Sequence, residues 1–241
     1  MTIYEPATLL TDYLLTALGG WLAWRLHRRL PADNEAARWW GRALALIAAA
    51  AFVGGSSHGF GPNLPPAAAA ALKTATLLTL SLVAAAMTLS LVYELAVPER
   101  RRRWLVLVGL KLGFFAALAV ARPVFVVAIA DYGLALVAWI VAALVCRRPW
   151  CGWMLAACGL SIIAALVQQL RWGLSVQFNH NDLYHVIQAG ALYFFYRATL
   201  RLGAGVVAPN PPPLSAPAGC FAGCREQRAT PCDDSATPRL P

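Results

Sequence analysis

The sequence predicts an all-α fold: a polytopic membrane protein built as a seven-transmembrane-helix bundle, N-terminus out and C-terminus cytoplasmic. Three observations carry that reading. Only 13% of the residues are charged while 59% are hydrophobic, and ordinary soluble domains carry roughly 25% charge. Seven apolar segments approach or exceed the roughly 20 helical residues needed to cross a hydrocarbon core. Basic residues gather in alternate connections, as they do in the cytoplasmic loops of membrane proteins.

In order, the segments run over 7–26, 40–60, 68–96, 104–121, 124–146, 150–170 and 182–200. The stretches between them, among them "RLHRRLPADNEAAR", "GPNLPP", "PERRRR" and "RWGLSVQFNHN", are short and mostly marked by proline or glycine, which stop helices. The first segment has no basic run ahead of it and no small-residue cleavage site, so it is expected to stay as a span. The third is long enough to tilt, and Lys111 interrupts the fourth.

Orientation follows from the arginines. Arg25, Arg28, Arg29, Arg38 and Arg42 flank the first connection, Arg100 to Arg103 the third, Arg147 and Arg148 the fifth, and Arg197 and Arg201 follow the last span. The opposite connections offer only Arg122 and Arg171. The net charge of +9 is thus a membrane-topology signal, with the lipid bilayer and not nucleic acid as the expected partner. Residues 1–201 form the transmembrane domain, and 202–241 read as a disordered, proline-rich cytoplasmic tail. Cys220, Cys224 and Cys232 of that tail lack zinc spacing, while Cys146, Cys151 and Cys158 read as packing residues.

Polar groups inside spans are costly and usually mark function. Once the alternating directions are applied, Asp12, Ser56, Ser57, His58, Lys73, Asp131, Gln168, Asp182, His185 and Gln188 fall into one layer in the outer half. A polar pocket opening to the extracytoplasmic face is therefore expected, with Asp12, Lys73 and Gln188 in its wall. The inner half has Glu94, placed to reach the "RRRR" run. On the last helix Asn181, Asp182, His185 and Gln188 share a face by their three- and four-residue spacing, and Asn179 or Asn181 caps its start. His180 falls off that face and is expected near the loop.

Two chemistries suit this set. Imidazoles from His58 and His185, with a carboxylate, make a zinc-ligand set whose open position holds a water activated for attack. Asp182 or Asp131 would serve as ligand or general base, and Ser56 or Ser57 as an oxyanion donor. Alternatively, Asp12, Lys73, Asp131 and Asp182 form an ion-paired pocket for a small polar ligand or a proton, as in a receptor or transporter. A third arrangement is a bis-histidine haem held by His58 and His185.

"GGSSHGF" around His58 and "HNDLYHVIQ" around His185 resemble motifs of a superfamily of seven-helix membrane hydrolases that includes alkaline ceramidases and adiponectin-receptor-like proteins. The resemblance implies zinc-dependent hydrolysis of a lipid amide or ester. In this sequence Gly54 stands four residues before His58 where the superfamily has serine, Lys73 stands near the helix 3 aspartate position, and Asn181 replaces the first histidine of an HxxxH pair. The third zinc ligand would then come from His180, Asp182 or Asp131. The sequence also resembles bacterial seven-helix proteins of unknown function sharing a "NDLYHVIQ"-type motif, which implies residence in a bacterial inner (plasma) membrane and no particular activity.

Overall fold

The computed structural model describes residues 2–175 and 178–203. Among them are seven α-helices: α1 (Pro6–Arg29), α2 (Glu35–Phe60), α3 (Pro66–Leu95), α4 (Pro98–Ala121), α5 (Phe125–Val145), α6 (Cys151–Gln169) and α7 (His180–Thr199). Five of these, α2 through α6, are long and apolar enough to cross a membrane. α1 and α7 are less apolar, the first ending in "RLHRR" and the second opening on "HNDLYH". The expected tail at 202–241, with its three cysteines, lies outside the described residues except for Leu202 and Gly203.

Helix starts follow local chemistry. α1, α3 and α4 open on a proline, whose missing N–H is one the first turn leaves unpaired anyway. Asn34 caps α2, its side chain accepting the Ala37 N–H at 3.0 Å. Two starts precede the sequence expectation by more than a turn. α2 begins at Glu35 and not near residue 40, and α4 begins at Pro98 and not near 104. Arg100 to Arg103 are therefore helical, because a proline start and good helix formers let the chain coil before it turns apolar.

Helix contacts close a ring in the order α1–α2–α3–α5–α6–α7, and α4 stands outside it against α3 and α5. Only Val108, Phe115 and Ala119 of α4 are buried, while Leu107, Leu110, Phe114 and Val120 are exposed apolar surface. Lys111 points from this outlying helix to Asp131 on α5 and forms a salt bridge.

One end of the ring is filled by aromatics. Trp40 of α2 stacks on Phe195 of α7 with centroids 4.5 Å apart, and Trp139 of α5 meets Trp150 edge-on at 5.4 Å. The indole N–H of Trp139 donates to the Met87 carbonyl at 3.0 Å, and that of Trp150 to Glu94 Oε1 at 2.9 Å. Glu94 also accepts from Arg148 Nη1 at 2.7 Å and from the Gly203 N–H at 3.1 Å. The sequence reading aimed Glu94 at the "RRRR" run; the structure gives it Arg148. The reason is geometric, since those arginines ride on α4 outside the ring while Glu94 is buried inward. Cys158 and Cys151 are buried, and the three described cysteines are free, in keeping with packing roles.

Candidate binding cavity

The opposite half of the ring lines an open cavity of about 650 Å³. Its wall draws on the C-terminal halves of α2 and α6, the N-terminal halves of α3, α5 and α7, and Asp12 and Leu15 of α1. All six ring helices contribute, and α4 does not. Leu15, Ile47, Leu77, Leu80 and Leu136 give it apolar surface; Asp12 of α1, Ser57 and His58 of α2 and His180, His185 and Gln188 of α7 make one polar corner, and Lys73, Ser161, Gln168 and Gln169 add polar groups from α3 and α6.

Close approach of α1 and α2 sets that corner. A Cβ built on Gly55 would lie 2.7 Å from the Cβ of Asp12 and 3.2 Å from the Tyr13 ring, and one on Gly59 would lie 2.9 Å from Leu9. Small residues let two helices touch at backbone distance, and here they push the Asp12 side of α1 against α2. The α1–α7 contact is made by hydrogen bonds. Thr8 donates its hydroxyl to Asp182 Oδ1 at 2.9 Å. Nε2 of His185 lies 3.1 Å from Asp12 Oδ1, and its Nδ1 lies 3.0 Å from the Thr11 hydroxyl.

Proton counting constrains this group. The Thr11 hydroxyl also lies 3.0 Å from the Thr8 carbonyl, and one hydroxyl proton serves one acceptor. If Thr11 donates to the carbonyl, His185 donates through Nδ1, and a further proton must lie between Nε2 and Asp12. If Thr11 donates to Nδ1, then Nε2 carries the hydrogen toward an ionised Asp12. The corner thus has two arrangements that differ by one proton.

The other expected site residues divide cleanly. Ser57, His58, Lys73, His180 and Gln188 join Asp12 and His185 in the cavity wall. Nδ1 of His58 lies 3.1 Å from Glu5 Oε2 in a half-exposed pair. Gln188 is buried, its amide 3.5 Å from the Tyr132 hydroxyl. His180 is the first residue of α7, not a loop residue, because Asn179 takes the cap.

Three residues are turned elsewhere. Asp182 is fully buried but spent on structure: Oδ2 accepts the Asn179 N–H at 2.7 Å while Oδ1 holds Thr8, a capping box. Asp131 is outside the cavity wall and faces Lys111 of α4. Ser56 donates to the Phe52 carbonyl at 2.7 Å and sits 3.1 Å from the Tyr13 hydroxyl, in the α1–α2 seam.

Among the described residues no three of His, Cys, Asp and Glu converge as a metal would need. The nitrogens seen to be engaged on His58 and His185 face carboxylates and a hydroxyl, not each other.

Sequence reasoning passed over Glu5, Thr8, Thr11, Tyr184 and Ser161. Thr8, Asp12 and Leu15 are spaced four and three apart, so the helical period of α1 already put Thr8 and Asp12 on the face that turned out buried. Glu5 lies before the helix and carries no such signal.

Residues 7–204 match a family described as a family of unknown function, DUF6962. The chain belongs to that family. No curated protein and no solved structure matches the chain. The matched stretch runs from the first turn of α1 to just beyond α7, so it takes in every residue lining the cavity of this DUF6962 chain.

Proposed function

We propose that this is an integral membrane protein of seven spans, N-terminus out, that binds a small molecule in the cavity inside its helix ring, in the manner of a receptor. One observation carries the binding reading: a cavity of about 650 Å³ whose wall is shared by all six ring helices. That volume lies within the range of about 300–1,000 Å³ for small-molecule sites, which typically pair apolar walls with a few placed polar groups. Trp40, Trp139, Trp150 and Phe195 fill the other end of the ring, which favours a receptor over a through-going transport path. The spans supported by hydropathy are α2 to α6; α1 and α7 complete the ring and join them as its polar pair.

Native mass spectrometry of protein purified from its own membrane tests the binding. A retained small molecule that Leu136→Trp displaces is expected; an empty protein with an unaltered spectrum in that variant refutes it. Reporter fusions at the α1–α2 connection and after Gly203 should both report from the cytoplasm, and an extracytoplasmic signal from either overturns the topology.

A second reading, metal-dependent hydrolysis of a lipid amide or ester, is favoured by the placement of His58, His180, His185 and Ser57 around one cavity. It requires the two imidazoles to leave Glu5 and Asp12. Stoichiometric zinc in the purified protein, lost in His58→Ala and His185→Ala, would establish that reading, and its absence would end it. An absorption spectrum without a Soret band does the same for a bis-histidine haem.

A further inference from the structure

Asp12 has an oxygen to spare. Its Oδ1 faces His185, but Oδ2 has no hydrogen-bond partner, although the residue is only 4% exposed and belongs to the cavity wall. A buried acceptor without a donor is costly, more so if charged. The neighbouring hydroxyls are engaged elsewhere: Thr8 with Asp182, Thr11 with Thr8 and His185, and Tyr13 with Ser56.

Charge narrows what would supply the donor. Around the polar corner stand three carboxylates: Asp12, Glu5 against His58, and Asp182 against Thr8. Among the described residues lining the cavity the one permanent cation is Lys73, and it is exposed. On α3 and α5 the cavity wall is mostly apolar, with Leu77, Leu80, Ile129 and Leu136 in it beside Thr76 and Tyr132.

We propose that the cavity takes an organic cation, an amphiphilic amine whose ammonium group donates to Asp12 and whose hydrocarbon body lies along the α3 and α5 walls. The ammonium supplies the missing donor and offsets the carboxylate charge, and the apolar body displaces water from the leucine-lined interior. This rests on the cavity being a ligand site and adds the class of ligand.

The test uses the full chain in lipid nanodiscs with three probes of one chain length: hexylamine, 1-hexanol and hexanoate. Binding is read from the rise in unfolding temperature with probe concentration, in the unaltered protein, in Asp12→Asn and in Leu136→Trp. Hexylamine is expected to bind more tightly than the alcohol, and hexanoate least. A charge-assisted hydrogen bond is worth about 1.5–3 kcal/mol, so Asp12→Asn should weaken hexylamine roughly 10- to 100-fold and leave hexanol nearly unchanged. A single cooperative unfolding transition of probe-free Asp12→Asn shows that the variant is folded. Hexanol or hexanoate binding as tightly as hexylamine, with Leu136→Trp abolishing it, overturns the proposal while the cavity reading stands. Undiminished hexylamine binding by Asp12→Asn overturns it as well. Failure of all three probes to stabilise any variant removes both.

Discussion

Gly55→Ala is the sharpest test of how the polar corner is assembled. The added methyl would sit 2.7 Å from the Asp12 Cβ and 3.2 Å from two carbons of the Tyr13 ring. Asp12 Cβ is fixed to the α1 backbone, so α1 itself must move. Overpacking of this kind costs about 1–3 kcal/mol, against a helix-propensity gain of up to about 1 kcal/mol for replacing glycine. The expected net is a loss of about 1–2 kcal/mol, or roughly 2–8 °C in unfolding temperature for a chain of this size. Gly54→Ala is the control one residue away. Its methyl would meet only Thr76 Cγ2, at 3.6 Å, so the propensity gain should stand alone and the protein should hold or gain stability. Thermal unfolding of both detergent-purified variants, followed by intrinsic tryptophan fluorescence, reads the difference. If Gly55→Ala unfolds at or above the temperature of Gly54→Ala, the close α1–α2 approach is wrong, and the placement of Asp12 in the cavity wall goes with it.

Other substitutions probe the remaining joints. Glu94→Ala leaves Arg148, the Trp150 indole and the Gly203 N–H without their acceptor; a loss on the order of 3 kcal/mol is expected, and an unfolding midpoint within error of the parent protein would contradict it. Lys111→Ala or Asp131→Ala alone should destabilise markedly, because each leaves an uncompensated charge, while Lys111→Leu combined with Asp131→Leu should recover most of the loss. Equal damage from the single and double variants in a thermal double-mutant cycle would mean the two charges do not depend on each other. Asp182→Ala removes both the capping box and the Thr8 bond. It should cost about 1–2 kcal/mol and speed hydrogen exchange in the first turn of α7; unchanged protection there would return Asp182 to the list of free site carboxylates.

The helices were legible because apolar length and proline punctuation are local properties. An asparagine cap on α7, left open between Asn179 and Asn181, and the shared face of Asp182, His185 and Gln188 were legible for the same reason, since three- and four-residue spacing sets a face whatever the neighbours do. What each side chain on that face would meet was not. Asp182 and His185 are three residues apart on one buried face, yet one serves the cap and the other the cavity, a difference set by Thr8 and Asp12 of a helix far away in sequence. Asp131 sat at the depth expected for the polar layer, but depth says nothing about rotation around the helix axis, and Lys111 drew it outward. The displacement of α4 from the ring is a packing outcome that span counting does not register, and it also explains why Glu94 finds Arg148 and not the α4 arginines.

The two helices that fall short of membrane-spanning hydropathy, α1 and α7, are neighbours, and part of their polarity is spent on each other. A polar side chain facing lipid costs free energy, so a helix carrying Thr8, Thr11 and Asp12 is tolerated only where another presents matching groups, as α7 does with Asp182 and His185. Interhelical hydrogen bonds of this kind contribute only about 0.6 kcal/mol each on average, too little to justify so much polarity on stability grounds alone when leucine packing would hold the seam as well. Asp182 and Thr8 close the seam by satisfying each other. Asp12 and His185, one turn deeper, leave an oxygen without a partner in the wall of the cavity, and a seam built for stability would have removed it. Under the proposed ligand-binding reading, the polarity kept at that corner is what the cavity offers to the molecule it takes.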